Sequence, residues 1–161
     1  MYTFINLYTG SASLASLNLT TGVATRIGTA TSYGIGYDLS GSRLVAHSGT
    51  LYMVTEELNI GLFTIDTNTG VASARVNISP FSVSGTTKFT DSNSQSVDDF
   101  LGMTDIEGEL FVSADQNQSG GPVLYKLNIS TAKATRVGNV RHYGVTHNAG
   151  SQFRVRGLAY G

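Results

Sequence analysis

No stretch of ten residues in this chain carries an apolar period near 3.6, so the pattern predicts almost no helix. Hydrophobic positions come instead in short runs, separated by clusters of Gly, Ser, Thr and Asn. Three segments align without a gap: Leu17–Ile27 (LNLTTGVATRI), Ile65–Arg75 (IDTNTGVASAR) and Leu127–Val137 (LNISTAKATRV). Each reads as strand, tight turn, strand. The Asn or Asp at the second position caps the turn through its side chain, and Thr-Gly supplies a positive φ. Ala132 stands where the other copies have Gly22 and Gly70, so the third turn is expected to differ slightly.

A second unit precedes the last two copies, Gly49–Val54 (GTLYMV) and Gly108–Ser113 (GELFVS), each after a short apolar run. One full repeat is therefore strand a (44–47), strand b (51–55), strand c (62–66) and strand d (71–76). Four short antiparallel strands in each ~40–60 residues is the grammar of a propeller blade. The first copy has strands b, c and d at 2–7, 13–17 and 23–27 but no strand a before them. The segment 155–161 reads as a strand a with no strand b after it. From Gly22 to Gly70 is 48 residues and from Gly70 to Ala132 is 62; through the chain ends back to Gly22 is 51. The sequence closes on itself as three repeats cut in an a–b turn.

The run of Leu-Tyr, Leu-Asn and Thr-Gly-Val-Ala-Thr-Arg-Ile-Gly resembles the repeat of the bacterial-type β-propellers of the broad YVTN/TolB-like group, over nearly the whole chain. The resemblance implies a fold and is almost silent on activity, because such propellers host binding, structural and enzymatic roles alike. The expected fold is all-β: three four-stranded blades per chain, closed into a six-bladed ring by a homodimer. Strand a at 153–160 of one copy would complete the blade that residues 2–28 of the other begin. Blade 2 falls at about 43–76 and blade 3 at about 100–138, with an insertion loop at 79–98. Three blades alone leave wide wedges and unpaired edges, which a two-fold partner removes. The alternative is a longer parent propeller.

Composition narrows the chemistry. The 161 residues suit one domain. Charged residues are 13%, about half the usual ~25%, and the net charge is −1, so no global field draws the chain to nucleic acid or a membrane surface. No run approaches the ~18 apolar residues of a membrane helix. With no Cys there is no disulfide, thiol nucleophile or thiolate metal site. Four sequons, at Asn18, Asn77, Asn117 and Asn128, fit an exported glycoprotein, though Asn18 and Asn128 are also what the turn requires. Acids gather between Asp91 and Asp115 and none follows, leaving a basic tail from Lys126 to Arg156. Alternate acidic and basic sectors that guide assembly, or an anion site, both explain this.

Strand a is innermost in a blade and lines the channel. Aligning those strands places Arg43, Leu101 and Arg156 together, and His47, Asp105 and Tyr160 together at one channel mouth. Convergent polar groups there are a candidate site for a small anionic or carbohydrate ligand; capped turn residues are the plainer reading. Asp91, Asn93, Gln95, Val97 and Asp99 put oxygens at alternate positions and resemble the calcium loops of integrin-type propellers, but Gln95 is neutral where an acid is usual and no glycine stands at the sixth position. The same residues are ordinary loop composition. No nucleophile elbow, zinc motif or phosphate loop occurs, so no catalytic residue is assigned. The function expected is a non-catalytic binding or structural module. A hydrolase or lactonase with a divalent ion in the channel, for which Asp105 is the one strand-a ligand, is the first alternative. A lectin stacking sugars on Tyr33, Tyr37, Tyr143 and Tyr160 in place of the missing Trp is the second.

Overall fold

The computed structural model describes residues 1–7, 11–28, 43–55, 61–74, 76–79, 81–84, 88–90, 96–116 and 121–139. The strand a expected at 153–160 lies outside them. The described residues are all-β, without helix, and the chain divides into two compact units, Met1–Val76 and Asn77–Gly161.

In the first unit, β1 (Tyr2–Leu7), β2 (Ser11–Leu17) and β3 (Ala24–Arg26) form a three-stranded antiparallel sheet in chain order. A second sheet follows, again in chain order: β4 (Arg43–His47), β5 (Thr50–Thr55), β6 (Gly61–Ile65) and the short β7 (Val76–Asn77). The β4–β5 hairpin closes on Ser48 (φ 48°) and Gly49 (φ 77°), with His47 paired to Thr50. Two consecutive positive φ values make a type I′ turn, whose twist matches that of the strands it joins. Alternation then sorts the side chains. Leu51, Met53, Phe63 and Ile65 fall on one face and pack with Leu14 of the first sheet, flanked by Phe4, Ile27, Leu44 and Ala72. Full burial of each such side chain contributes about 1.5–3 kcal/mol, and this cluster joins the two sheets.

In the second unit, β10 (Ser96–Ile106), β11 (Glu109–Gln116), β12 (Gly121–Asn128) and β13 (Lys133–Asn139) run as an antiparallel meander. The β10–β11 hairpin repeats the first one, with Glu107 at φ 53° and Gly108 at φ 79°. Leu110, Val112, Ala114, Val123, Tyr125, Leu127 and Ala134 are buried with Ile78, and Phe81 packs edge-on against Tyr125 at 5.2 Å between ring centroids. The stretch 79–98 expected as a loop is partly strand: β8 (Ser82–Ser84) pairs with β9 (Lys88–Thr90), which pairs with the start of β10. The sheet thus has six strands, in the order β13-β12-β11-β10-β9-β8. Two ladder irregularities leave Asp98 and Leu101 as extra residues on β10, which is how a long strand bends while keeping both neighbours.

The c–d turns form as their sequence requires. Asn18 Oδ1 accepts from the Thr20 and Thr21 N–H groups, Asp66 Oδ1 from Asn68 and Thr69, and Asn128 Oδ1 from Thr131. Gly22 and Gly70 have φ of 71° and 70°. Ala132 adopts the same region at 48°, and its N–H reaches Ile129 O at 3.4 Å, whereas the glycines donate to Asn18 O and Asp66 O at 2.8 and 2.7 Å. The third turn is therefore looser, as a Cβ in the left-handed region demands.

The residues that leave β3 lie directly on the second of these turns. A Cβ on Gly28 (φ 62°) would collide with the backbone carbonyl of Thr69, and one on Gly70 would sit 2.9 Å from Ile27 O. A Cβ on Gly22 would meet nothing within 4 Å. Gly22→Ala should therefore cost about 1 kcal/mol for the backbone alone, and Gly28→Ala and Gly70→Ala about 2–4 kcal/mol, because contact strain adds to it. Ala132→Gly should change little, since relief of the left-handed backbone offsets the lost buried methyl and the freer unfolded chain. Urea denaturation of the four variants checks this order; equal losses at Gly22 and Gly28 would refute it.

Asp66 differs from Asn18 and Asn128 in carrying a charge. The Asn68 N–H, then the Thr69 N–H, favour its ionised form and hold its pKa below the ordinary 3.8. A depressed folded-state pKa gives stability that is present above pH 3.8 and lost as pH falls through the lower, folded-state value. Asp66→Asn keeps the cap and should flatten the fall of the urea midpoint as pH drops below 3.8. An unchanged acid limb would show that other groups set it.

Candidate functional site

The face of the second sheet that carries the buried Val54 and Leu62 also carries Arg43 and His47, the proposed channel residues of the first unit. Arg43 pairs with Val54, Val45 with Tyr52, and His47 with Thr50; Tyr52 in turn pairs with Thr64 of β6. Alternation puts Arg43, Val45, His47, Tyr52 and Thr64 on one side together with the buried Val54 and Leu62. His47 and Tyr52 meet edge-on at 6.1 Å between centroids and 61° between planes. Arg43, His47 and Tyr52 are each partly exposed. A guanidinium, an imidazole and a phenol on one face offer several hydrogen-bond donors to an anion or a polyol. Tyr52 and Thr64 were not singled out by the sequence reading. Their signal was present as the period-two alternation of the b and c strands opposite Arg43 and His47.

Asp105 is placed differently. It pairs with Leu110, so it belongs to the side of its sheet that carries Leu110 and Leu127. Its Oδ1 accepts from the Gly108 N–H at 2.9 Å, which caps the type I′ turn. The two hairpins fix the equivalence of the a strands: Ser48-Gly49 matches Glu107-Gly108, so His47 corresponds to Ile106 and Arg43 to Gly102. The sequence alignment, which set His47 beside Asp105 and Arg43 beside Leu101, is corrected by one residue. Leu101 is the extra residue of a bulge, and a slip of one flips a side chain to the other face. His47 and Asp105 thus occupy opposite faces of their respective sheets. Arg156 and Tyr160 lie outside the described residues.

The calcium reading also meets strand where it expected loop. Ser96 and Val97 pair with Thr90 and Phe89 on one side, and Val97 and Asp99 with Gln116 and Asp115 on the other. The last third of the expected loop is therefore part of a ladder, and Asp91, Asn93 and Gln95 lie outside the described residues. Among the described residues no three His, Asp or Glu side chains come together in a way that could hold a metal ion. The described sequon residues Asn18 and Asn128 are exposed and cap their turns, and Asn77 is exposed in β7. Tyr33, Tyr37 and Tyr143, the sugar-stacking candidates besides Tyr160, lie outside the described residues. No helix among those described is long and apolar enough to cross a membrane.

Comparison of the chain with protein-family models, with curated proteins and with solved structures finds no match in any of the three.

Proposed function

We propose that the chain is one half of a six-bladed β-propeller completed by a second copy, and that the ring is a binding or structural module rather than a catalyst. The observation that carries this reading is the repeated build of the sheets. Both β4–β7 and β10–β13 are successive antiparallel strands with a type I′ turn between the first two and an Asx-capped turn between the last two. The first sheet has the same c–d turn, but among the described residues β1 pairs with β2 alone. No described strand stands where β4 and β10 stand elsewhere, and the sequence 153–160 has the pattern of that strand. The ligand reading rests on Arg43, His47 and Tyr52, which present donors on an innermost and a neighbouring strand, with Arg156 and Tyr160 as the further sequence candidates. Asp105 supports a structural role, since its carboxylate serves the turn.

Light scattering should give about twice the chain mass of 17.0 kDa, and deletion of 154–161 should leave aggregated or dissociated protein. A stable 17.0 kDa monomer with an unaltered melting transition in the deletion variant would exclude the ring. For the ligand, titration calorimetry with phosphate, sulfate and a dicarboxylate should detect binding that Arg43→Ala with Arg156→Ala weakens about tenfold or more, the loss of about 1.4 kcal/mol of charge-assisted contact. Wild-type protein that binds none of the three would remove the anion reading.

A further inference from the structure

The three c–d turns are alike in sequence and unlike in surroundings. Gly70 is buried beneath Ile27, in the segment that leaves β3. Ala132 is buried beside Ser79, in the segment that leaves β7: the Ser79 N–H donates to Ala132 O at 2.8 Å and the Ala134 N–H to Ser79 O at 2.7 Å. Ile78, fully buried, takes the place of Ile27 there, three residues later than strict alignment puts it. In both cases the chain leaving strand d of one repeat covers the c–d turn of the next.

Among the described residues the turn of the first repeat has no such cover. Gly22 is exposed, with nothing within 4 Å of its Cβ position. Ala24 is exposed where its equivalents Ala72 and Ala134 are half-buried and buried. Leu19 is 74% exposed, whereas Thr67 and Ile129 in the same position are partly covered. At the other end of the series, Val137-Gly138 of β13 aligns with Ile27-Gly28. Val137 is 57% exposed and Gly138 likewise has nothing within 4 Å. Gly138 is paired with Leu124 in the β12–β13 ladder, beside the irregularity at Val137, and to dock as Gly28 does it would leave that pair; as glycine it has access to the positive φ that Gly28 adopts.

We propose that the turn Asn18–Val23 of one copy is the docking site for the segment around Val137-Gly138 of a second copy. The occupant is a second copy because the contact continues an interface this chain already makes between its own repeats, and the exposed pair are its unmatched halves. The contact is head-to-tail, so two copies related by a two-fold axis form it twice and leave neither half exposed. This deepens the ring reading given above and rests on it for closure.

The test uses the full chain, which has no native cysteine. A mixture of Ala24→Cys and Val137→Cys copies, treated with a short bismaleimide, should give a cross-linked dimer; Ala24→Cys mixed with Val71→Cys should not. Ala24→Arg and Val137→Asp should each raise the dimer dissociation constant at least tenfold, with an unchanged strand signal in circular dichroism. Val71→Asp, at an exposed position on the second turn, should leave the mass unchanged. A dimeric wild type with no cross-link and with Ala24→Arg still dimeric overturns this contact while leaving the ring intact. A monomeric wild type overturns both. An open polymer dissolved by Ala24→Arg supports the contact and overturns the two-fold ring.

Discussion

Backbone touches backbone where the residues leaving β3 lie against the turn between β6 and β7. Gly28 has no room for a side chain above the Thr69 carbonyl, and Gly70 has little above it from Ile27. Such an approach needs two things at once. The turn must hold its shape, which its own capping side chain does. The residues in contact must also lack a Cβ or hold it aside. The Asp66 carboxylate meets the first demand through Asn68 and Thr69, and the two glycines meet the second. With that distance fixed, Leu14 reaches Met53 and Phe63, and the apolar faces of the two sheets close on each other. The second unit reaches the same end by another route, a short parallel bridge from Ser79 to Lys133, which tolerates Ala132 in place of glycine.

The described ion pair Lys126–Glu109 lies on exposed strand positions, where such pairs contribute at most about 1 kcal/mol. Two of the three turn caps are neutral amides. With 13% charged residues and no cysteine, the chain relies on apolar burial as the main favourable term. That is why the residues that decide its register are glycines and Asx side chains rather than charges.

The turns were legible in the sequence because each rests on a local rule. Asx followed by Gly four residues later states the c–d turn, and Gly49 and Gly108 mark the hairpins. The order of strands followed from the repeat. The hairpin β8–β9 was not legible, because Ser82-Val83-Ser84 and Lys88-Phe89-Thr90 are single hydrophobic residues in polar surroundings, and pairing onto β10 makes them strands. The register of β10 was hidden for a related reason. Bulges at Asp98 and Leu101 break the count of two on which alignment depends. The candidate site inherited that error: Arg43 and His47, four residues apart on β4, share a face, while Asp105, placed one residue out of step, serves its turn.

The last strand of each repeat, an edge of its sheet, carries a further consequence. An outer strand exposes a row of unpaired N–H and C=O groups, a template on which another chain can nucleate aggregation. Here β3 has three residues and β7 two, too few to template an added strand. The longer β13 opens with Lys133 beneath Ser79, carries Arg136, and breaks its ladder at Val137 between the pairs Tyr125–Arg136 and Leu124–Gly138. Brevity protects β3 and β7, and a covered start with an irregular finish protects β13. The repeats can thus present strands side by side in one chain without those outer edges inviting uncontrolled stacking.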